Sequence, residues 1–160
     1  MRILFITQYW SPQRNVPQQR WRWLVEVLVG EGHDVFVLAP EGTSCGEDTL
    51  KWAPWHTRPV KGSSGEWVYR IPYLKTGTSL SGRTAGQAAT AALQLWAIAK
   101  IRLFNKQEKP DVVIGTVPTL PTAIVAAIGG VFFSAPFVID LRDPWPCLLY
   151  TSPSPRDGLL

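Results

Sequence analysis

The sequence is poor in the residues that bind metals and form disulfides. It contains two cysteines, Cys45 and Cys147, and two histidines, His33 and His56. The cysteines form no Cys-x-x-Cys pair, and neither stands at a zinc-ligand spacing from a histidine. A disulfide framework and a zinc site are therefore disfavoured, and a reducing compartment is expected.

Glycine is missing where a dinucleotide-binding protein needs it. After the first apolar run, residues 8–17 have the sequence QYWSPQRNVP. A dinucleotide fold places G-x-G-x-x-G there, because glycines let the backbone approach a pyrophosphate. Neither that motif nor a P-loop is present, so the sequence argues against nicotinamide and flavin cofactors.

Long uninterrupted apolar runs are also missing. The best candidate for a membrane span, residues 120–139, contains Pro121, Pro136 and the pair Gly129–Gly130. Because a span needs about 20 mainly apolar residues, this segment is interpreted as a buried helix followed by a buried strand. The apolar run at residues 3–6 is too short for a signal peptide.

What is present is the composition of a globular domain. The 160 residues are 46% hydrophobic and 18% charged, which suits one domain with an ordinary core. The net charge of +4 is compatible with an anionic substrate, a membrane surface or nucleic acid, and it singles out none of them.

Apolar runs of strand length alternate with helical patterns along the chain. Strands are predicted at residues 2–7, 34–39, 66–71, 112–116 and 136–141, and helices at 18–30, 81–106 and 119–133. Because strands that alternate with helices form parallel sheets, the sequence predicts an α/β fold with a Rossmann-like, doubly wound, mainly parallel sheet. Residues 40–65 are predicted to be a long surface segment in which a short strand is allowed.

The start of the first helix is a candidate anion site. Pro17 suits the first turn, and Asn15 is a candidate cap. Free N–H groups at a helix start favour an anion, and Arg14 and Arg20 add positive charge. The hypothesis is a phosphate or carboxylate of a bound substrate. The alternative is that both arginines are solvated or pair with surface carboxylates.

Two predicted strand ends carry further candidates. Asp143 and Arg142 follow the last strand, in the region where open α/β sheets bind ligands. The carboxylate can act as a general base or hold a sugar hydroxyl, and the arginine can fix it or contact an anion. An internal Arg–Asp pair closing a turn explains them equally well. Thr116 and Pro118 lie at the preceding strand end, where helix capping by Thr119 competes with substrate contact.

Several segments, taken in order, form a wider pattern. They are RILFITQYWSP (residues 2–12), PQQR (17–20), GHDVFVL (32–38), KPDVVIG (109–115) followed by Pro118, and PFVIDLRDPWP (136–146). The ordered set resembles the N-terminal domain of glycosyltransferase family 4, and RD-x-WP is its most specific part. The subgroup that it resembles most builds bacterial capsule, O-antigen or other exopolysaccharides.

The resemblance implies a GT-B fold of two Rossmann-like domains. Residues 1–146 would form the N-terminal, acceptor-side domain, and a C-terminal domain would hold the nucleotide-sugar. The family is usually retaining and uses no metal, and the subgroup's acceptors are often lipid-linked sugars at the cytoplasmic face of the membrane. By position, Arg142 and Asp143 match the loop that faces the catalytic cleft. Arg14, Asn15, Gln18 and Arg20 match the acceptor-side loop, and Thr116 and Pro118 are further candidate substrate contacts.

The chain departs from the family at two places. Many members carry paired glycines in the first loop, where this chain has Asn15–Val16. Residues 147–160 break the α/β pattern and resemble translated sequencing-adaptor DNA, so they are expected to be a non-native or disordered tail. The donor domain is expected to be absent from these 160 residues, and the chain alone is expected to be inactive.

Two other functions stay open. The first is a stand-alone binding domain for a sugar, a lipid phosphate or a membrane surface, the last through the basic end of the helix predicted at residues 81–106. The second is nucleic-acid binding, which is disfavoured because no RNP, KH or zinc-finger spacing is present. The expected location is cytoplasmic, with a peripheral position on the inner face of the membrane allowed.

Overall fold

The computed structural model describes residues 1–10, 16–40, 59–72, 80–104, 109–117 and 120–141. The elements in chain order are β1 (Arg2–Ile6), α1 (Val16–Gly30), β2 (Asp34–Pro40), β3 (Val60–Lys61), β4 (Trp67–Ile71), α2 (Leu80–Phe104), β5 (Val112–Val117), α3 (Leu120–Phe133) and β6 (Phe137–Leu141). The described strands form a six-stranded sheet in the order β3-β4-β2-β1-β5-β6. Only the β3–β4 pairing within it is antiparallel.

Helices cover both faces of this sheet, and each face has its own core. On one face, Phe5 of β1 packs against Trp21 of α1, with ring centroids 5.3 Å apart. On the other face, Leu4 and Ile6 join residues of α2 and α3. Since side chains alternate between the faces of a strand, the continuous apolar run in β1 is explained by burial on both sides. The predicted doubly wound, mainly parallel α/β fold is confirmed.

Helix α1 ends where the glycines predict. Gly32 has a φ of 83°, in the left-handed region that favours glycine. The N–H of His33 donates to the carbonyl of Leu28 at 3.0 Å, which satisfies one of the last carbonyls of the helix. The beginning of α1 differs from the prediction by two residues, at Val16 instead of Gln18.

The surface segment predicted at residues 40–65 contains the short strand that was allowed there. Strand β3 pairs antiparallel with β4 through a tight turn, in which Gly65 has a φ of 91°. Because β3 is short and lies beside β4, it covers one edge of the sheet with little exposed strand of its own. Residues 41–58 lie outside the part of the chain that the structure describes.

Residues 120–141 form a helix and then a strand, as predicted, but neither is fully buried. Helix α3 packs closely on β5, where a Cβ on Gly115 would stand 2.5 Å from the Cβ of Ala126. Its outer side is exposed, and β6 is the outer described strand beside β5, with Val138 51% exposed. The predicted buried helix is therefore buried on one side only, and the predicted buried strand is half-exposed, because an apolar sequence does not show which of its faces is covered. Among the described helices, none is long and apolar enough to cross a membrane.

Candidate functional site at the carboxyl edge of the sheet

Three polar side chains stand in one row at the carboxyl edge of the sheet. Thr116 of β5 is in register with Asp140 of β6, and Thr7 follows the registered pair Ile6–Gly115 by one residue. Ile114 packs in the core under α1, so side-chain alternation puts Thr116 and its neighbours in the row on the face that α1 covers. Thr7 and Thr116 are buried, and Asp140 is half-buried. The row lies at the strand ends, where ligands of open α/β sheets bind.

Arg20 of α1 reaches this row. Its Nη2 atom donates to Oδ1 of Asp140 at 3.4 Å. The arginine side chain is 69% exposed and the aspartate side chain is 19% exposed. The pair therefore joins the first turns of α1 to the end of β6, with its aspartate inside the protein and its arginine at the surface.

The second carboxylate oxygen of Asp140, Oδ2, is buried and receives no hydrogen bond from the described residues. An unsatisfied buried oxygen of a charged group is costly, so it calls for a physical explanation. A hydrogen-bond donor on a bound molecule would supply the missing partner.

The root of the first loop is fixed from the α2 side. Gln94, which is fully buried, donates from Nε2 to the carbonyl oxygen of Thr7 at 3.0 Å. The Thr7 hydroxyl donates to the carbonyl of Tyr9 at 3.1 Å. These contacts hold the backbone at the point where β1 leaves the sheet.

The same loop is fixed from the α1 side by a buried carboxylate. Trp10, which is 4% exposed, donates from Nε1 to Oε1 of Glu66 at 3.1 Å. Glu66 is 1% exposed, and its other oxygen accepts the N–H of Ser64 at 2.9 Å. Because both oxygens have donors, the buried carboxylate is satisfied. Residues 7–10 are thus anchored at both ends.

The structure places two of the predicted site residues at this edge. Arg20 and Thr116 both lie there, and Arg20 is joined to Asp140. For Gln18, the backbone lies in the first turn of α1. The other predicted site residues lie outside the described ranges: Arg14, Asn15, Pro118, Arg142 and Asp143.

Sequence reasoning missed the roles of Asp140, Glu66 and Gln94. Asp140 could have been suspected, because it is a charged residue at the end of the apolar run PFVID. Nothing in the sequence marks Glu66 or Gln94, since their burial depends on distant partners. Within the described part of the chain, no group of three His, Cys, Asp or Glu side chains is arranged to hold a metal ion.

The fold is that of the Rossmann-like domains of GT-B glycosyltransferases. The calicheamicin glycosyltransferase CalG4 superposes with a TM-score of 0.54 at 13% identity, over 94% of this chain and 36% of that chain. Apo UGT2 of Phytolacca americana superposes with a TM-score of 0.52 at 16% identity, over 94% of this chain and 31% of that one. The chain therefore spans about a third of the length of these two proteins.

The same fold also occurs in a protein that is not named as a glycosyltransferase. The C-terminal domain of the PF1911 hydrogenase from Pyrococcus furiosus superposes with a TM-score of 0.51 at 16% identity, over 88% of this chain and 90% of that domain. Likeness at this level of identity shows the fold alone, because one fold supports many functions.

The family follows from the sequence itself. No curated protein sequence matches the chain. The family model of the glycosyl transferase 4-like domain matches residues 17–159, which is most of this chain. The chain belongs to the glycosyl transferase 4-like domain family.

Proposed function

We propose that this chain is the acceptor-side domain of a glycosyltransferase. The intact enzyme would transfer a sugar from a nucleotide-sugar to a lipid-linked or polysaccharide acceptor in bacterial cell-surface glycan synthesis. Its place of action would be the inner face of the cytoplasmic membrane. The observation that carries the proposal is Oδ2 of Asp140, which is buried at the carboxyl edge beside Arg20 and accepts no hydrogen bond from any residue in the described ranges.

The chemistry of an acceptor sugar fits this edge. A sugar hydroxyl donates hydrogen bonds, and a carboxylate oxygen is a strong acceptor for them. Arg20 has other N–H groups exposed to solvent, and they can contact a phosphate or a second sugar oxygen. Asp140 would then hold the acceptor, and Arg20 would orient both the carboxylate and the bound molecule.

The predicted residues outside the described ranges complete the proposed site. Arg142 and Asp143 directly follow β6, so they are proposed as the catalytic pair, with Asp143 orienting or deprotonating the acceptor hydroxyl. Arg14, Asn15 and Pro118 are proposed substrate contacts, together with Gln18, whose backbone lies in the first turn of α1. No metal and no cofactor other than the nucleotide-sugar substrate are proposed, and no nucleic acid is proposed as a partner.

The donor half of the reaction is assigned elsewhere. A nucleoside diphosphate leaving group needs positive charge or hydrogen-bond donors to stabilise it. We assign these groups to a second domain, on a longer polypeptide or on another chain. A stand-alone binding domain remains a second candidate, because the edge built by Arg20 and Asp140 suits a ligand whether or not transfer follows.

Incorporation of radiolabel separates the two candidates. The protein is incubated with labelled nucleotide-sugars and a bacterial membrane lipid extract, and the label in the lipid phase is counted. We expect no transfer by residues 1–160 alone and transfer when a donor domain is supplied. Turnover by the chain alone would overturn the half-site proposal, and no turnover with any donor domain would favour the binding domain.

The Asp140→Asn substitution tests the edge directly. It keeps the shape of the side chain and removes its charge, so we expect acceptor affinity to fall about tenfold, as for the loss of one hydrogen bond to a charged group. Asp34→Asn is the control, because Asp34 is an exposed carboxylate at the opposite edge of the sheet. Equal acceptor affinity in the two variants would contradict the role given to Asp140.

A further inference from the structure

The neighbouring helices α2 and α3 both expose apolar side chains on their outer sides. On α2 the exposed apolar residues follow a helical spacing, and on α3 every exposed residue is apolar. They are Ala85, Ala88, Ala92, Trp96, Leu103, Phe104, Leu120, Ile124, Ile128, Val131 and Phe132. We call them the α2–α3 surface. Exposed apolar side chains that are grouped on neighbouring helices point to an interaction site.

The two helices are joined where this surface meets its charged residues. Arg102 of α2 donates from Nε to the carbonyl oxygen of Phe132 on α3 at 3.4 Å. Lys100 has its Nζ 3.9 Å from the centroid of the Trp96 ring. The lysine and the arginine therefore place positive charge beside exposed apolar residues, Lys100 over the Trp96 ring and Arg102 at the Phe132 backbone.

The charged residues of the two helices are all basic, and all lie on α2. Helix α2 contains Arg83, Lys100 and Arg102, α3 contains no charged residue, and neither helix contains aspartate or glutamate. Lys109, which follows α2, is exposed as well. Helix α1, on the other face of the sheet, instead pairs its Arg22 with Glu26 at 2.9 Å. The α2–α3 surface thus combines exposed apolar side chains with basic residues that have no acid on the same helices.

We propose that the α2–α3 surface docks on an anionic lipid bilayer, with α2 and α3 lying in the plane of its headgroups. Helices with an apolar outer side and basic residues bind such interfaces through buried apolar area and attraction to anionic lipids. Tryptophan and lysine are the residues that sit at the level of the headgroups. Two copies of the surface would bring basic residues together, which makes a second copy the poorer occupant.

This inference rests on the proposed location at the membrane face, but it concerns a different surface of the molecule from the candidate site. The polar row belongs to the carboxyl edge under α1, whereas the α2–α3 surface lies outside the other helix layer. Lipid binding and sugar transfer can therefore be measured and lost separately.

Vesicle co-sedimentation tests the proposal on the full chain. Vesicles of phosphatidylcholine are compared with vesicles that also contain phosphatidylglycerol. We expect binding to the anionic vesicles that weakens as salt rises, because exposed charges are screened. Lys100→Gln should weaken it about fivefold, since a basic residue near an anionic surface contributes about 1 kcal/mol.

Matched apolar variants locate the contact. Leu103 is 67% exposed on the α2–α3 surface, and Trp23 is 65% exposed on α1. Leu103→Ser should weaken vesicle binding severalfold, and Trp23→Ser should leave it unchanged. Both side chains are on the protein surface, so both variants should stay folded.

Three outcomes would overturn the proposal. They are equal sedimentation with both kinds of vesicle, an equal loss of binding in Leu103→Ser and Trp23→Ser, and self-association abolished by Leu103→Ser without any vesicle binding. The last would identify the surface as a contact between copies. Asp140→Asn separates this inference from the proposed function, because the variant should still bind lipid while its affinity for the acceptor falls. If Asp140→Asn loses acceptor affinity but neither it nor the unchanged protein binds vesicles, the proposed function stands and this inference is refuted.

Discussion

The two helix layers of the sheet differ in how they are attached and in what they show to solvent. Helix α1 packs on the sheet through Trp21 and Val25 and also makes polar contacts with its surroundings, such as the bond from Ser64 Oγ to Glu26 at 3.1 Å and the pair of Arg20 with Asp140. Helices α2 and α3 are attached mainly by apolar packing and are apolar outside as well. The first layer positions a polar edge, and the exposed residues of α3 in the second layer are all apolar.

The largest expected loss of stability comes from a substitution on the inner side of α3, and a substitution on its outer side is the comparison. Phe133 is 2% exposed and Phe132 is 50% exposed. Phe133→Ala should destabilise the protein by about 3–5 kcal/mol, as for other buried aromatic side chains. Phe132→Ala should change stability by less than about 0.5 kcal/mol. Urea denaturation measures both, and a large loss with Phe132→Ala would mean that the outer side is packed in the folded protein.

A somewhat smaller effect is expected from the buried carboxylate under α1. Glu66→Ala leaves the N–H groups of Trp10 and Ser64 without their acceptors, which should cost about 3 kcal/mol. Glu26→Ala, at an exposed carboxylate on the same side, should cost about 0.5 kcal/mol. The NMR signal of the Trp10 indole N–H should shift only in the first variant. Equal denaturation midpoints would show that the Trp10–Glu66 bond does not anchor the loop.

Two glycines at the end of α1 allow the effect of backbone strain to be measured apart from the effect of side-chain packing. A Cβ on Gly32 or on Gly30 would meet no atom within 4 Å, but only Gly32 has a left-handed φ, of 83°. Gly32→Ala should therefore cost about 1–2 kcal/mol. Gly30→Ala should be neutral or slightly stabilising. Thermal unfolding of the two variants checks this, and an equal loss in both would refute strain as the cause.

The smallest effect belongs to the exposed ion pair on α1. Arg22 and Glu26 are four residues apart and more than two-fifths exposed, with side-chain values of 53% and 42%. Arg22→Ala should cost about 0.3–0.5 kcal/mol at low salt and less at high salt. Denaturation at two ionic strengths measures this, and a cost that does not change with salt would point to lost packing instead of lost charge.

Most of the fold could be predicted from the sequence because its signals are local. Apolar runs of strand length, a helical period in α1 and the glycines at its end each act within a few residues. The short β3 and the exposure of α3 were less accessible. The pairing of β3 and the exposure of α3 depend on which elements pack beside them, and apolar composition alone does not reveal these neighbours.

The candidate site could be predicted only in part. Arg20 was found because it stands at a helix start, and Thr116 because it ends a strand. The contact of Arg20 with Asp140 joins residues 120 positions apart, and the burial of Glu66 depends on Trp10, 56 positions away. Such pairs follow from the arrangement of strands, which hydrophobic periodicity does not specify.

The most direct test of the acceptor-side assignment is an amide NMR titration of the isotope-labelled chain. The probes are a panel of glycans released from bacterial lipid-linked oligosaccharides and, separately, a nucleotide-sugar such as UDP-glucose. The account predicts that at least one glycan shifts the amides of Thr7, Arg20, Thr116 and Asp140, and that the nucleotide-sugar alone shifts none of them. Shifts at these amides caused by the nucleotide-sugar, or no shifts there with any glycan, would contradict it.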